Sequence, residues 1–171
     1  LLQAIIDAAK NAIFMIDAEG RVSYMNGAAE EMFGYPRGEL MGENLHGMLV
    51  PERYRPAHAE GFRRFRETGE GAAIGETLEL SALRRDGSEF PVELSLASVR
   101  VGGGWHAVGV IRDISGRKAA EEERRRDAWA LGERVKELGC LYGIGELVGR
   151  PGIGLDAIFR GVVALIPPAW Q

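Results

Sequence analysis

Apolar positions along the chain change their period several times, and each change predicts a different element. Leu1, Ile5 and Ala8-Ala9 recur at helical spacing, which predicts a short amphipathic helix ending near Asn11. Ala12-Ile13-Phe14-Met15-Ile16 and Val22-Ser23-Tyr24-Met25 are short apolar or alternating runs parted by Asp17-Ala18-Glu19-Gly20, the pattern of a β-hairpin. Asn26 then offers a helix cap and Gly34 a stop, with Ala28 to Phe33 between them. A second short helix is predicted over Arg37 to Met41. From Pro51, harmless in a first helical turn, a longer helix runs to Thr68-Gly69 with Tyr54, His58, Phe62 and Phe65 on its apolar face. Beyond Gly75 the period falls to two. Thr77 to Leu83 and Phe90 to Leu96 read as antiparallel strands about Arg85-Asp86-Gly87-Ser88, and Trp105 to Ile114 is a last strand after Gly102-Gly103-Gly104.

Residues 117–137 leave that pattern. Seven basic and six acidic residues among 21, with Glu121/Arg125 and Glu122/Arg126 one helical turn apart, predict a solvated helix. Ala128, Leu131, Val135, Leu138 and Tyr142 follow at spacings of 3, 4, 3 and 4, the seam of two supercoiling helices, so a homodimer is expected. A further helical pattern, Leu155 to Ile166, lies beyond a break at Pro151-Gly152 and reads as the start of a truncated following module. The division expected is a first domain over 1–115, a helical linker over 116–142, and that module over 143–171.

Composition narrows the classes. The 171 residues are 46% hydrophobic and 27% charged, with a net charge of −4 that argues against binding polyanions. One cysteine, Cys140, leaves no internal disulfide or multi-cysteine metal site and fits a reducing cytoplasm. No apolar run approaches a membrane span, and the start at Leu1 suggests a piece of a longer protein. Phosphate-loop, HExxH and GxSxG motifs are absent, so no enzyme activity is expected of this segment. Gly143-Ile144-Gly145-Glu146-Leu147-Val148-Gly149 is not preceded by a strand and reads as close helix contacts rather than a dinucleotide loop.

The order of elements predicts an α+β fold: a five-stranded antiparallel sheet with short helices on one face, enclosing an apolar cavity suited to a small ligand. Asp17-Ala18-Glu19-Gly20-Arg21-Val22, Met25-Asn26-Gly27-Ala28-Ala29, Phe33-Gly34-Tyr35, Gly38-Glu39-Leu40-Met41-Gly42, Arg85 to Glu93 and Arg112-Asp113-Ile114-Ser115 carry a resemblance to the PAS sensory family, over about Leu1 to Ser115. That resemblance implies a sensor whose Asp113, Ile114 and Ser115 pass a signal into the helical linker and on to a downstream domain, most simply that of a bacterial histidine kinase. The segment Glu133 to Ile144 looks like the lead-in helix to another module of such kinases.

Six residues are the ligand-pocket candidates: Tyr54, His58, Phe62, Leu78, Leu94 and Leu96. Tyr54-Arg55-Pro56-Ala57-His58 and Arg64 to Gly69 are similar to oxygen-sensing PAS kinases. By that likeness His58 would be the axial ligand of a haem iron, the one metal expected, Arg64 would face a propionate, and Leu94 and Leu96 would face bound gas. Leu78 stands where those sensors carry an oxygen-holding Arg. Three states of the cavity stay open at this point: no cofactor, haem or flavin. His58 also reads as a core or boundary histidine, His46 as a loop residue, and His106 as a strand-surface residue. The arginines from Arg53 to Arg66, interleaved with Glu, read as a solvated face rather than a nucleic-acid site. Two further readings stand beside the sensor: a ligand-free dimerisation module, and a nucleic-acid binder built on the arginine helix.

Overall fold

The computed structural model describes Ile6 and residues 8–166; the helix expected from Leu1 lies largely outside the described residues. Two compact units are present, 1–118 and 119–171. The first is built on one five-stranded antiparallel sheet in the order β2-β1-β5-β4-β3, with β1 Ala12–Ile16, β2 Val22–Met25, β3 Thr77–Leu83, β4 Glu89–Val101 and β5 Gly104–Asp113. The first and last strands are neighbours in the centre, with Ala12 opposite Ile111 and Ile16 opposite Ala107. The last strand therefore ends beside the point where the first begins.

Between β2 and β3 run helices α1 Gly27–Phe33, α2 Arg37–Leu40, α3 Leu45–Leu49, a 3-10 turn Glu52–Tyr54, and α4 Arg55–Thr68. Pro51 precedes the 3-10 turn, so the longer helix begins four residues later than the proline suggested. Helix α3 was not anticipated, although Asn44 caps it by accepting from the backbone N–H of His46 and Gly47. Strand β4 also runs five residues past Leu96, because it pairs with β5 along its whole second half.

The core is an aromatic pile on the inner face of the sheet. Phe33, fully buried, meets Phe14 and Phe90 edge-on at 5.4 and 5.5 Å, which clamps α1 to strands from both halves of the sheet. Gly34 ends α1 in the left-handed conformation, and its N–H reaches back to the carbonyl of Glu30. Gly69 ends α4 in the same way, and there a Cβ would stand 2.4 Å from the Trp105 ring, so no larger residue fits. Trp105 packs against the core from β5.

Among the described residues Asn26 is the one buried polar residue in this core, and its hydrogen bonds are fully used. Its Oδ1 accepts from the N–H of Ile13 and of Ala29, while its Nδ2 donates to the carbonyls of Ile6 and Asn11. It thus caps α1 and ties the entry segment to the first strand.

In the second unit, the long helix α5 Ser115–Val148 continues through Gly139 and Gly143, past the end of the linker expected at 142. Helix α6 Leu155–Leu165 packs on it closely: a Cβ on Gly143 would come within 2.8 Å of Leu165, and one on Gly161 within 2.6 Å of Leu147. The glycines here serve close helix contact, and α6, which lacked a partner in the sequence pattern, has one in α5. No helix among the described residues is long and apolar enough to cross a membrane.

Replacing Asn26 by Ala removes a cap and strands the Ile13 N–H in the core, so urea unfolding should report a loss of about 2–4 kcal/mol. Asn44→Ala, at an exposed cap, should cost only about 1 kcal/mol. Equal costs at the two positions would show that Asn26 is not the tie described.

Candidate functional site

Alternation along four strands sends Phe14 and Ile16, Leu78, Leu80 and Ala82, Val92, Leu94 and Leu96, and Ala107, Gly109 and Ile111 to one side of the sheet. Helices α3 and α4 lie across that face without filling it. The space between is a cavity of about 380 Å³. Its volume depends partly on Gly109, where a Cβ would press within 3.3 Å of Leu96 and 3.6 Å of Leu94. Tyr54, His58, Phe62, Leu78, Leu94 and Leu96 all border this cavity. Tyr54 is the most exposed of them and carries the Arg53 guanidinium over its ring at 4.6 Å.

The sequence reading missed His46. It was expected in a loop, but the Asn44 cap sets it in α3, on the cavity wall, with its ring 3.8 Å from that of His58 and 4.9 Å from that of Phe62. The signal was present in Asn44-Leu45 and Leu49, a cap followed by apolar residues four apart, though five residues is too short a helix for periodicity to reveal. Both ring nitrogens of His46 are enclosed and meet no hydrogen-bond partner among the described residues. Burial, and then the nearby His58, push the His46 pKa down to about 3; burial also lowers that of His58. Burial thus disfavours the charged form of both imidazoles. His106, expected on the strand surface, is half-buried with its Nδ1 enclosed, and it does not border the cavity.

The arginine-rich helix is largely committed to local partners. Arg53 makes a two-pronged pair with Glu89 at 2.6 Å on each arm, joining the 3-10 turn to β4. Arg55 donates to the carbonyls of Val50 and Gly47, Arg63 pairs with Glu60, and Arg64 faces Glu70 at 3.8 Å.

At the end of β5, Asp113 Oδ2 accepts from Arg84 at 2.7 Å and its Oδ1 accepts from the Ser115 N–H at 2.8 Å. Partial burial opposes its charge, but the bonds from Ser115 and Arg84 outweigh this and hold its pKa below the usual carboxylate range. Ile114 is buried beside it, its N–H donating to the Pro91 carbonyl. One turn further, Lys118 and Arg117 both reach Glu79 on β3 at 2.6 Å and draw its pKa down to about 2. The first turn of α5 is therefore held by the strand whose other face, at Leu78 and Leu80, borders the cavity.

Along α5, Ala128, Leu131, Val135, Leu138 and Tyr142 are exposed, Tyr142 at 76%. Trp129 and Leu141, which the seam did not include, are also exposed. Arg126 pairs with Glu122 as spaced, whereas Arg125 also engages Glu122. Cys140 is buried within the second unit and is not among the residues that line the cavity.

A family model described as PAS fold matches residues 1–114. Among curated relatives, the oxygen sensor protein DosP of Escherichia coli is 35% identical over 66% of this chain and 14% of its own length. The sensor protein FixL of Bradyrhizobium diazoefficiens is 32% identical over 67% of this chain and 22% of its own. The chain thus spans about a seventh to a fifth of these relatives. A crystal structure of a PAS domain from a two-component sensor histidine kinase shares the fold, with TM-score 0.53 at 21% identity, over 66% of this chain and 92% of that one.

The unfolded chain protonates His46 near pH 6.5 and the folded chain only near 3. The unfolded state binds more protons throughout that window, so stability is full above it and falls with acidification, by at most roughly 1.4 kcal/mol per pH unit. Melting temperatures between about pH 7.5 and 4.5 should fall, and His46→Leu should flatten the fall. Identical slopes in the two proteins would mean that His46 is not shielded from water.

Proposed function

Since the chain belongs to the PAS family, from that premise we propose that its first unit is a cytoplasmic sensory module that holds a small, mainly apolar ligand between the sheet and α3–α4 and relays occupancy into α5. One observation carries this reading. The strand that walls the cavity with Ala107, Gly109 and Ile111 ends at Asp113 and passes directly into the long helix. A cavity of about 380 Å³ falls in the range of small-ligand sites and favours a receptor over a scaffold filled by its own side chains.

In this mechanism Arg84 and Asp113 hold the end of β5, and Ser115 starts the helix from it. A ligand that spreads Leu78, Leu94 and Leu96 moves β3 and β4, and with them Glu79 and the cations it grips at the start of α5. The shift is a change in population between two settings of the linker, as large as the ligand's preference for one of them. Leu131, Val135, Leu138 and Tyr142, with Ala128, form the seam along which two linkers pair, and the output domain they drive belongs to a parent histidine kinase.

A second reading is supported by the neutral His58 on the cavity wall: it can offer a ring nitrogen to a haem iron, with Leu78, Leu94 and Leu96 lining the space across from it. Bound haem would supply an iron able to take a diatomic gas. Arg64, which the family likeness sets against a propionate, instead lies on the exposed face near Glu70. A cavity wall with Leu78 in place of an Arg offers bound oxygen no hydrogen bond from that position.

Three measurements test these readings. Purified protein supplied with haem should give a Soret band that His58→Ala abolishes if the second reading holds; a spectrum indifferent to that substitution removes it. Leu94→Trp, which fills the cavity, should leave folding cooperative and abolish binding of apolar probes, whereas undiminished binding would place the site elsewhere. For the linker, Leu131→Asp with Leu138→Asp should yield monomers by analytical ultracentrifugation, and persisting dimers would move the interface off this seam.

A further inference from the structure

Gly109 stands in the centre of β5, opposite Phe14 of β1 on one side and Leu96 of β4 on the other. A glycine inside a strand weakens it, and it marks a bulge, a bend or a place that something must approach closely. The first two do not apply. The pairing of β5 with β1 and with β4 runs through Gly109 without a shift in register, and its φ is not positive, so its backbone is open to any residue. What remains is the room above it.

Two leucines use that room. A Cβ at Gly109 would lie 3.3 Å from Leu96 Cδ2 and 3.6 Å from Leu94 Cδ1, so both side chains lean over the bare backbone instead of standing up into the cavity. A methyl group there would push Leu96 away by a few tenths of an ångström and take its own share of the space. Gly109, Leu94 and Leu96 all border the cavity, whose walls include no charged side chain. An ionised group moving there from water would meet no counter-ion.

We propose that the cavity takes an uncharged, hydrocarbon-like molecule and that Gly109 is the residue that sets the largest one admitted. The leucines that lean over it form the part of the floor a ligand rests on, so each atom added at position 109 is taken from the ligand. This inference rests on the first reading of the cavity, as a site for an apolar ligand, and adds the ligand's charge class and the residue that limits its size.

The test is titration of the intact chain at neutral pH with benzene, naphthalene, anthracene and pyrene, and with 2-naphthoate as the charged counterpart of naphthalene. The largest hydrocarbon that binds the unmodified protein should bind Gly109→Ala about tenfold more weakly, the effect of one methyl group too many in a filled site, while benzene keeps its affinity. Combining Gly109→Ala with Leu96→Val, which returns space beside the new methyl group, should recover most of the loss, with melting curves checking that both variants fold. Equal weakening of benzene and the largest hydrocarbon, no weakening of either, a loss that Leu96→Val does not recover, or an unmodified protein that takes benzene alone overturns the role given to Gly109. Tighter binding of 2-naphthoate than of naphthalene overturns the uncharged class. If none of the five compounds binds the unmodified protein, the ligand-site reading itself falls.

Discussion

The guanidinium of Arg84 joins three parts of the sensory unit at one point. It lies 3.6 Å over the ring of Phe90, donates to the Met32 carbonyl in the last turn of α1, and pairs with Asp113 at the end of β5. The next residue, Arg85, gives its N–H to the Phe33 carbonyl. One hairpin corner therefore fixes the helix that carries the core phenylalanine, the strand behind it, and the point where the long helix starts. A planar group with five donors can meet a carbonyl, a carboxylate and an aromatic face at once, which an ammonium cannot.

The cavity follows from how the inner face of the sheet is covered. Helix α1 and its Phe33 seal the end of the sheet near Phe14 and Phe90, while α3 and α4 span the remainder without filling the space beneath them. Short helices that cannot lie flat on a curved sheet leave a hollow, and Gly109 in the centre of β5 deepens it. Arg53 and Glu89 then tie the helical side to β4 at one rim. The histidine pair sits on this wall, and burial disfavours the charged form of both rings.

The two faces of β3 have opposite duties. Leu78, Leu80 and Ala82 look into the cavity, and Glu79 between them holds Lys118 and Arg117 on the far side. Strand pleating puts these contacts within one residue of each other, so a displacement on one face is felt on the other without any longer route.

Local pattern was enough to read the five strands, the cap at Asn26, and the stops at Gly34 and Gly69, because period-two alternation and capping residues act over a few positions. The family likeness likewise rested on short segments in a fixed order. Tertiary structure alone decided the rest. His46 became part of the site only because a five-residue helix folds across the sheet and sets it on His58, 12 residues away in sequence. Gly143 and Gly161 became a helix contact only once α6 turned back on α5. Periodicity reports which face of an element is apolar; which partner that face meets, and whether a buried nitrogen finds a hydrogen bond there, is settled by distances between segments that the linear order does not contain.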